Sequence, residues 1–349
     1  MGDFTRKEIT GGKGLCIILI VLHNVTHIFP EHGENEFSFN LSTVETFLHH
    51  LLIDPITSLF SFFGWIGVSF FVFATGFGLV AKYGSKPFRK WDWLKYHYLK
   101  LFLLLFPIYS VFLIINFELT GTSLSIYNVL QQLLLLNLYN PSLIYPGIYW
   151  YIGMALQLYI WFWILKRLSI KQLIIIALII MGVTAFLPGK YMGYWRHNSF
   201  GWLPEFMAGM IYGRLPLIIR TKKVKLCLFA GGIFLMGGCA LTSYTFTFSG
   251  LGLCCVIISI RQWLLRVPGL VFIGKISAAL YVVHAVIRSV WFWFFSNYNL
   301  PPLSIALLVL GASMLISYPY TLYYDKLCII LNGKRRSEES PICKPQTQT

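Results

Sequence analysis

Charge is scarce in this sequence, and negative charge scarcest: 12% of the 349 residues are charged, and 13 acidic residues stand against 28 basic ones. Soluble domains carry about a quarter charged residues. The shortage, set beside a hydrophobic content of 57%, excludes an ordinary water-soluble fold and makes the bilayer part of the solvent. The seven cysteines (Cys16, Cys227, Cys239, Cys254, Cys255, Cys328 and Cys343) lack paired metal-ligand spacing and a disulfide-like framework. They read as small hydrophobes. No small-residue cleavage site follows the first apolar run, which therefore reads as a retained span in a chain starting at Met1. Neither an internal repeat nor a soluble domain is discernible.

Aromatic residues are plentiful, at 17% with 11 Trp and 20 Tyr, as expected where amphipathic rings settle at headgroup level. The net charge of +15 lies in short runs between apolar spans and forms no nucleic-acid-binding face. A membrane helix needs roughly 20 apolar residues. Runs of that kind predict about ten transmembrane helices, near 14–29, 59–81, 99–117, 147–165, 171–187, 199–218, 226–242, 247–260, 270–293 and 302–324. The fold class is an all-α, polytopic helix bundle. Lys13, Lys82–Lys100, Lys166–Lys171, Arg214–Lys225, Arg261–Arg266 and Lys334–Arg336 fall on one side, cytoplasmic by the positive-inside rule, as do both termini. Glu31, Glu34, Glu36 and Glu118 mark the other side. This parity requires that Ile126–Leu138 not cross; it reads as re-entrant or interfacial beside an irregular stretch, Tyr139–Gly147. Val44–Leu59 reads as an outer amphipathic helix. Residues 1–332 form the membrane-embedded domain, and 333–349 a disordered cytoplasmic tail.

Ionisable groups inside a bilayer are costly and mark function. His23 lies ten residues beyond Lys13, about 15 Å along a helix. A dry site keeps an imidazole neutral and able to act as a general base; an interhelical hydrogen bond is the plainer alternative. Asn24 adjoins it. His284 has Tyr281 one turn before and Arg288 one turn after. It suits a relay, a substrate contact or packing. Glu205, beside Pro204, hints at a polar pocket. Gln157 is cheaper to bury and means little alone. The loop Lys82–Lys100 carries six basic residues against one Asp, a possible partner for a phosphorylated ligand, although topology alone demands basic residues there. His49, His50 and Asp54 lack a fourth ligand, so no metal site is expected.

Four segments resemble landmarks of the membrane-bound acyltransferase 3 family: Lys13–His23, Gly67–Phe77, Trp150–Tyr159 and Ile273–His284. The resemblance spans nearly the whole chain. It implies an enzyme that takes an acyl group, usually acetyl, from cytosolic acyl-CoA and delivers it to a hydroxyl of an envelope polysaccharide or its precursor. It further implies a multi-pass protein of a bacterial cytoplasmic membrane, with acetyl-CoA as co-substrate and no bound cofactor. The family's first-helix His, counted from Lys13, falls on Asn24; His23 stands one residue earlier, about 100° round the helix. The expected catalytic set is His23, Asn24 and His284. Lys13, Lys95 and Lys100 are expected to hold the donor's phosphates, and Glu205, Gln157 and Tyr281 to line the acceptor side. The rival reading is a transporter or flippase of an envelope glycan, because intramembrane His and Glu also serve as proton relays; a family member without chemistry is a third.

Overall fold

The computed structural model describes residues 4–84, 89–121, 124–136, 146–215, 221–295 and 300–339, and among them every regular element is helical. The first helix, α1 (Arg6–Thr26), begins in a capping box: the Thr5 hydroxyl accepts the Glu8 N–H, and the Glu8 carboxylate accepts the Thr5 N–H. A loop of residues 27–40 follows. Next come α2 (Leu41–His50) and α3 (Pro55–Phe63), where one amphipathic helix is expected from the sequence. The break falls where Asp54 caps the new helix through the Thr57 N–H and Pro55 takes its first position. A 3-10 turn at Gly64–Ile66 joins α3 to α4 (Gly67–Tyr83).

The chain continues through α5 (Lys90–Thr120) and the short α6 (Ile126–Leu133), which lies against α5 through Tyr98 Oη and the Leu133 carbonyl. Of the irregular stretch at 139–147, residues 139–145 lie outside the described residues. Then follow α7 (Trp150–Leu165), α8 (Ile170–Ala185), α9 (Gly189–His197), a 3-10 turn at Ser199–Trp202, and α10 (Leu203–Arg214). The last elements are α11 (Lys222–Ala240), α12 (Ser249–Leu264), α13 (Leu270–Phe295) and α14 (Pro302–Glu339).

Among the described residues, eight helical segments are long and apolar enough to cross a bilayer. The two other expected spans correspond to shorter helices: α8, a mainly apolar helix of 16 residues, and the turn with α10. The protein is thus a multi-pass helical membrane protein. Its basic ends gather at one end of the bundle: Arg214 donates to the Leu168 and Lys166 carbonyls, Lys225 to Gln262, and Arg261 pairs with Glu8 at 3.4 Å.

Helix α1 runs through the middle, packed along α13 and flanked by α3, α4, α12 and α14. It approaches α13 at Gly14 and Gly274, where any Cβ would run into the backbone of the facing helix. The approach is close enough for hydrogen bonds between the two helices near the far end of α1.

Candidate active site

Where α1 ends, opposite the basic end of the bundle, the 27–40 loop folds back over His23. The imidazole is 1% exposed. Its Nδ1 lies 2.8 Å from the Ser61 carbonyl, so Nδ1–H donates there and the neutral ring carries its lone pair on Nε2. Among the described residues that nitrogen has no hydrogen-bond partner; it faces Oε2 of Glu36 at 3.8 Å and of Glu34 at 4.0 Å. His27 stacks on the ring at 4.6 Å.

The loop is pinned at several points. Ser61 Oγ donates to the Gly33 carbonyl, so one residue both orients His23 and holds the loop before Glu34. The Glu34 carboxylate accepts the Glu36 N–H at 2.7 Å, and the Asn35 side chain spans to both backbone groups of Asn40. Arg196, fully buried on α9, donates through Nε to the Glu36 carbonyl and through Nη1 to that of Gly201, with its guanidinium 3.6 Å over the Trp202 ring. Burial draws Arg196 down to about 10, while Glu205, Glu36 and Glu34 favour its charge, so it remains a cation at neutral pH. Burial, and then the Glu36 charge, pushes the Glu34 carboxyl up to about 7.

Asn24 points the other way. Its Nδ2 donates to the Ile20 carbonyl and meets His284 Nε2 at 3.4 Å, while Arg288 Nη1 donates to its backbone oxygen. His284 is buried against α1, and its Nδ1–H is spent on the Leu280 carbonyl. The one-residue offset thus separates two roles: His23 faces the carboxylates, and Asn24 bridges to His284. The structure does not bring His23 and His284 together.

A cavity of about 180 Å³ lies between α1, α4, α5, α7 and α13, running from Lys13 to Ile20, one turn short of His23. Thr75, Tyr151, Tyr159, Ser277 and Tyr281 give its apolar wall a few polar points. Lys13, half-buried, lines its end toward the start of α1, with Lys100 close enough to interact electrostatically. Lys95 is elsewhere, exposed over a shallow depression beside Trp91 and Tyr98.

The other expected contacts divide. Tyr281 borders the cavity, but its hydroxyl donates to the Ile148 carbonyl. Glu205 is buried beside Ser69, and Arg196 feels its charge. Gln157 is committed to structure: Nε2 donates to Asn198 Oδ1 at 2.8 Å, and Oε1 accepts the Ser199 N–H at 2.9 Å. Gln157→Leu is expected to destabilise the protein by about 1–3 kcal/mol, read as a lower unfolding temperature in detergent, because partly buried groups lose their partners.

Sequence reasoning missed Glu34, Glu36, Ser61 and Arg196 as site residues. One signal was present: Arg196 is a cation that follows Trp195 and precedes Trp202 by six residues, between the fifth and sixth expected spans and so on the side opposite the basic loops.

In comparison with known proteins, a family model described as an acyltransferase domain matches residues 6–322. No curated protein and no solved structure matches the chain.

Proposed function

Since the chain belongs to the acyltransferase 3 family and is a membrane acyltransferase, we propose that it moves an acetyl group from cytosolic acetyl-CoA to a hydroxyl of an envelope polysaccharide or its precursor. The observation that carries this reading is the alignment along α1 of Lys13 at one end of a mostly apolar cavity and the buried His23 Nε2 one turn beyond the other. On this reading the protein crosses a bacterial cytoplasmic membrane ten times. Both termini and the Lys13 end face the cytoplasm, following the basic residues gathered there.

The donor's phosphates sit at Lys13 and Lys100, and its thioester lies in the cavity. An acceptor hydroxyl enters from the loop side, where Glu34 and Glu36 can accept hydrogen bonds from a sugar. His23 Nε2 takes the hydroxyl proton as the oxygen attacks the thioester carbonyl. The new C–O bond forms, the C–S bond breaks, and the imidazolium returns its proton to the departing thiolate. Glu34 and Glu36 favour the transient imidazolium. Asn24 and His284 position α1 rather than touch the reacting atoms.

The test is loss of label from radiolabelled acetyl-CoA supplied to the Lys13 side of the purified protein in proteoliposomes, with envelope glycans on the other side. Turnover supports the reading. If the donor neither binds nor reacts while labelled glycan crosses the bilayer, a transporter replaces it. Lys13→Glu is expected to raise KM for acetyl-CoA by roughly tenfold to a hundredfold while kcat changes little, as for a charge-assisted contact made equally in ground and transition states.

A further inference from the structure

Beyond acyl transfer, we propose that His23, Glu34 and Glu36 form a binding site for a divalent transition metal of the zinc class, and that the bound ion blocks the protein's chemistry. The donor atoms converge: Nε2 of His23 and one carboxylate oxygen from each glutamate all lie within 4.8 Å of one another. In a tetrahedral zinc site, ligand atoms about 2.0–2.2 Å from the ion are roughly 3.3–3.6 Å apart. The observed separations of 3.8 and 4.0 Å from His23, within a set bounded at 4.8 Å, therefore call for a contraction of between a few tenths of an ångström and roughly 1.3 Å, taken up by a loop rather than a helix.

Three features fit a metal better than an accidental cluster. His23 presents a lone pair because its other nitrogen donates to the Ser61 carbonyl, the arrangement that orients a ligating imidazole. Its Nε2 is buried with no hydrogen-bond partner among the described residues, and it faces two carboxylates at 3.8 and 4.0 Å, a convergence of donors that a cation would satisfy. The Glu34 carboxylate is held in place by the Glu36 N–H and by the Ser61 clip on Gly33. One imidazole and two carboxylates favour zinc over magnesium or calcium, which prefer all-oxygen cages. The three protein ligands leave a fourth position for water.

Arg196 opposes a dication, with its guanidinium held against the Glu36 carbonyl and its charge felt by both glutamates. Binding is therefore reversible and inhibitory, not the grip of a resident cofactor. The inhibitory half rests on the proposed function, because the ion would take the lone pair on which His23 must receive its proton. The binding half stands on the donor set alone.

The experiment strips the purified full-length protein with a chelator, then titrates Zn²⁺ by calorimetry and follows Co²⁺ by its visible absorption. One saturable site per chain is expected, with the intense visible bands of a low-coordinate site. Glu34→Gln and Glu36→Gln should each weaken Zn²⁺ binding on the order of a hundredfold. A His49→Ala/His50→Ala double variant should leave it unchanged. Unfolding temperatures in chelator establish that each variant is folded, and Glu34→Gln suffices if Glu36→Gln is not. Absent saturable binding, binding indifferent to both Gln variants, or binding lost only in the His49/His50 variant would each overturn the proposal. If zinc binds through the glutamates yet turnover continues, the site stands, and its inhibitory role and the His23 base assignment fall together.

Discussion

Replacing His23 with Ala is expected to lower kcat for acyl transfer by about 10²- to 10⁴-fold, the usual worth of a general base, with KM for the donor little changed. Among the described residues the ring makes one hydrogen bond, to a backbone carbonyl, stacks on His27 and faces two carboxylates. Its loss thus removes chemistry more than scaffold, and the unfolding temperature should move far less than the rate. Asn24→Ala provides the contrast. Asn24 holds α1 to α13 through His284, so its loss should cost less than about tenfold in kcat and act through position rather than proton transfer. Steady-state turnover of labelled acetyl-CoA by the two variants, measured beside their thermal stabilities, separates these effects. Equal and modest losses in both would remove His23 from the role of base.

The second large effect is expected at Gly64, in the 3-10 turn between α3 and α4. A Cβ there would stand 2.5 Å from Cβ of His23 and 2.6 Å from the Leu19 carbonyl oxygen, nearer than van der Waals contact allows. Neither neighbour can give: one is backbone, and the other is the first atom of a buried side chain. Gly64→Ala should therefore push α1 away from the turn, tilting the imidazole off the Ser61 carbonyl. Overpacking of this kind typically costs about 1–3 kcal/mol of stability, while an ångström of misplacement at a reacting group can cost on the order of a hundredfold in rate. The expected signature is an activity loss out of proportion to the fall in unfolding temperature. A Gly64→Ala protein with parental turnover would show that His23 tolerates displacement.

The spans were legible because the bilayer sets a minimum length for an apolar run, and each of the ten expected spans overlaps a helix of the structure. The break between α2 and α3 was not, because Val44–Leu59 reads as one amphipathic run, whereas Asp54 and Pro55 serve as the cap and first residue of a second helix. His23 was legible as an ionisable residue in an apolar run. Its partners were not: Glu34 and Glu36 served only as markers of sidedness, and nothing in a local pattern says that a loop folds back onto the helix it has just left. Arg196 reaches the site from 160 positions beyond Glu36, a distance that spacing arguments do not cross. Gln157 was legible as a polar residue in a landmark segment, yet its bonds to Asn198 and Ser199 give it a structural duty.

The pairing of α1 with α13 bears on how the protein is made. The helix that leaves the ribosome first has its main companion among the last, with Asn24 and His284 separated by 260 positions. Until α13 is inserted, α1 has α3 and α4 beside it but a bare glycine face, and Asn24 lacks its contact with His284, so the nascent chain has no completed pocket. Domains usually fold as units while synthesis proceeds, N-terminal parts first. Here the earliest segment must instead be kept available until the chain is nearly finished. A fragment released by premature termination would then lack the α13 wall of the cavity, and could not squander donor in the cell.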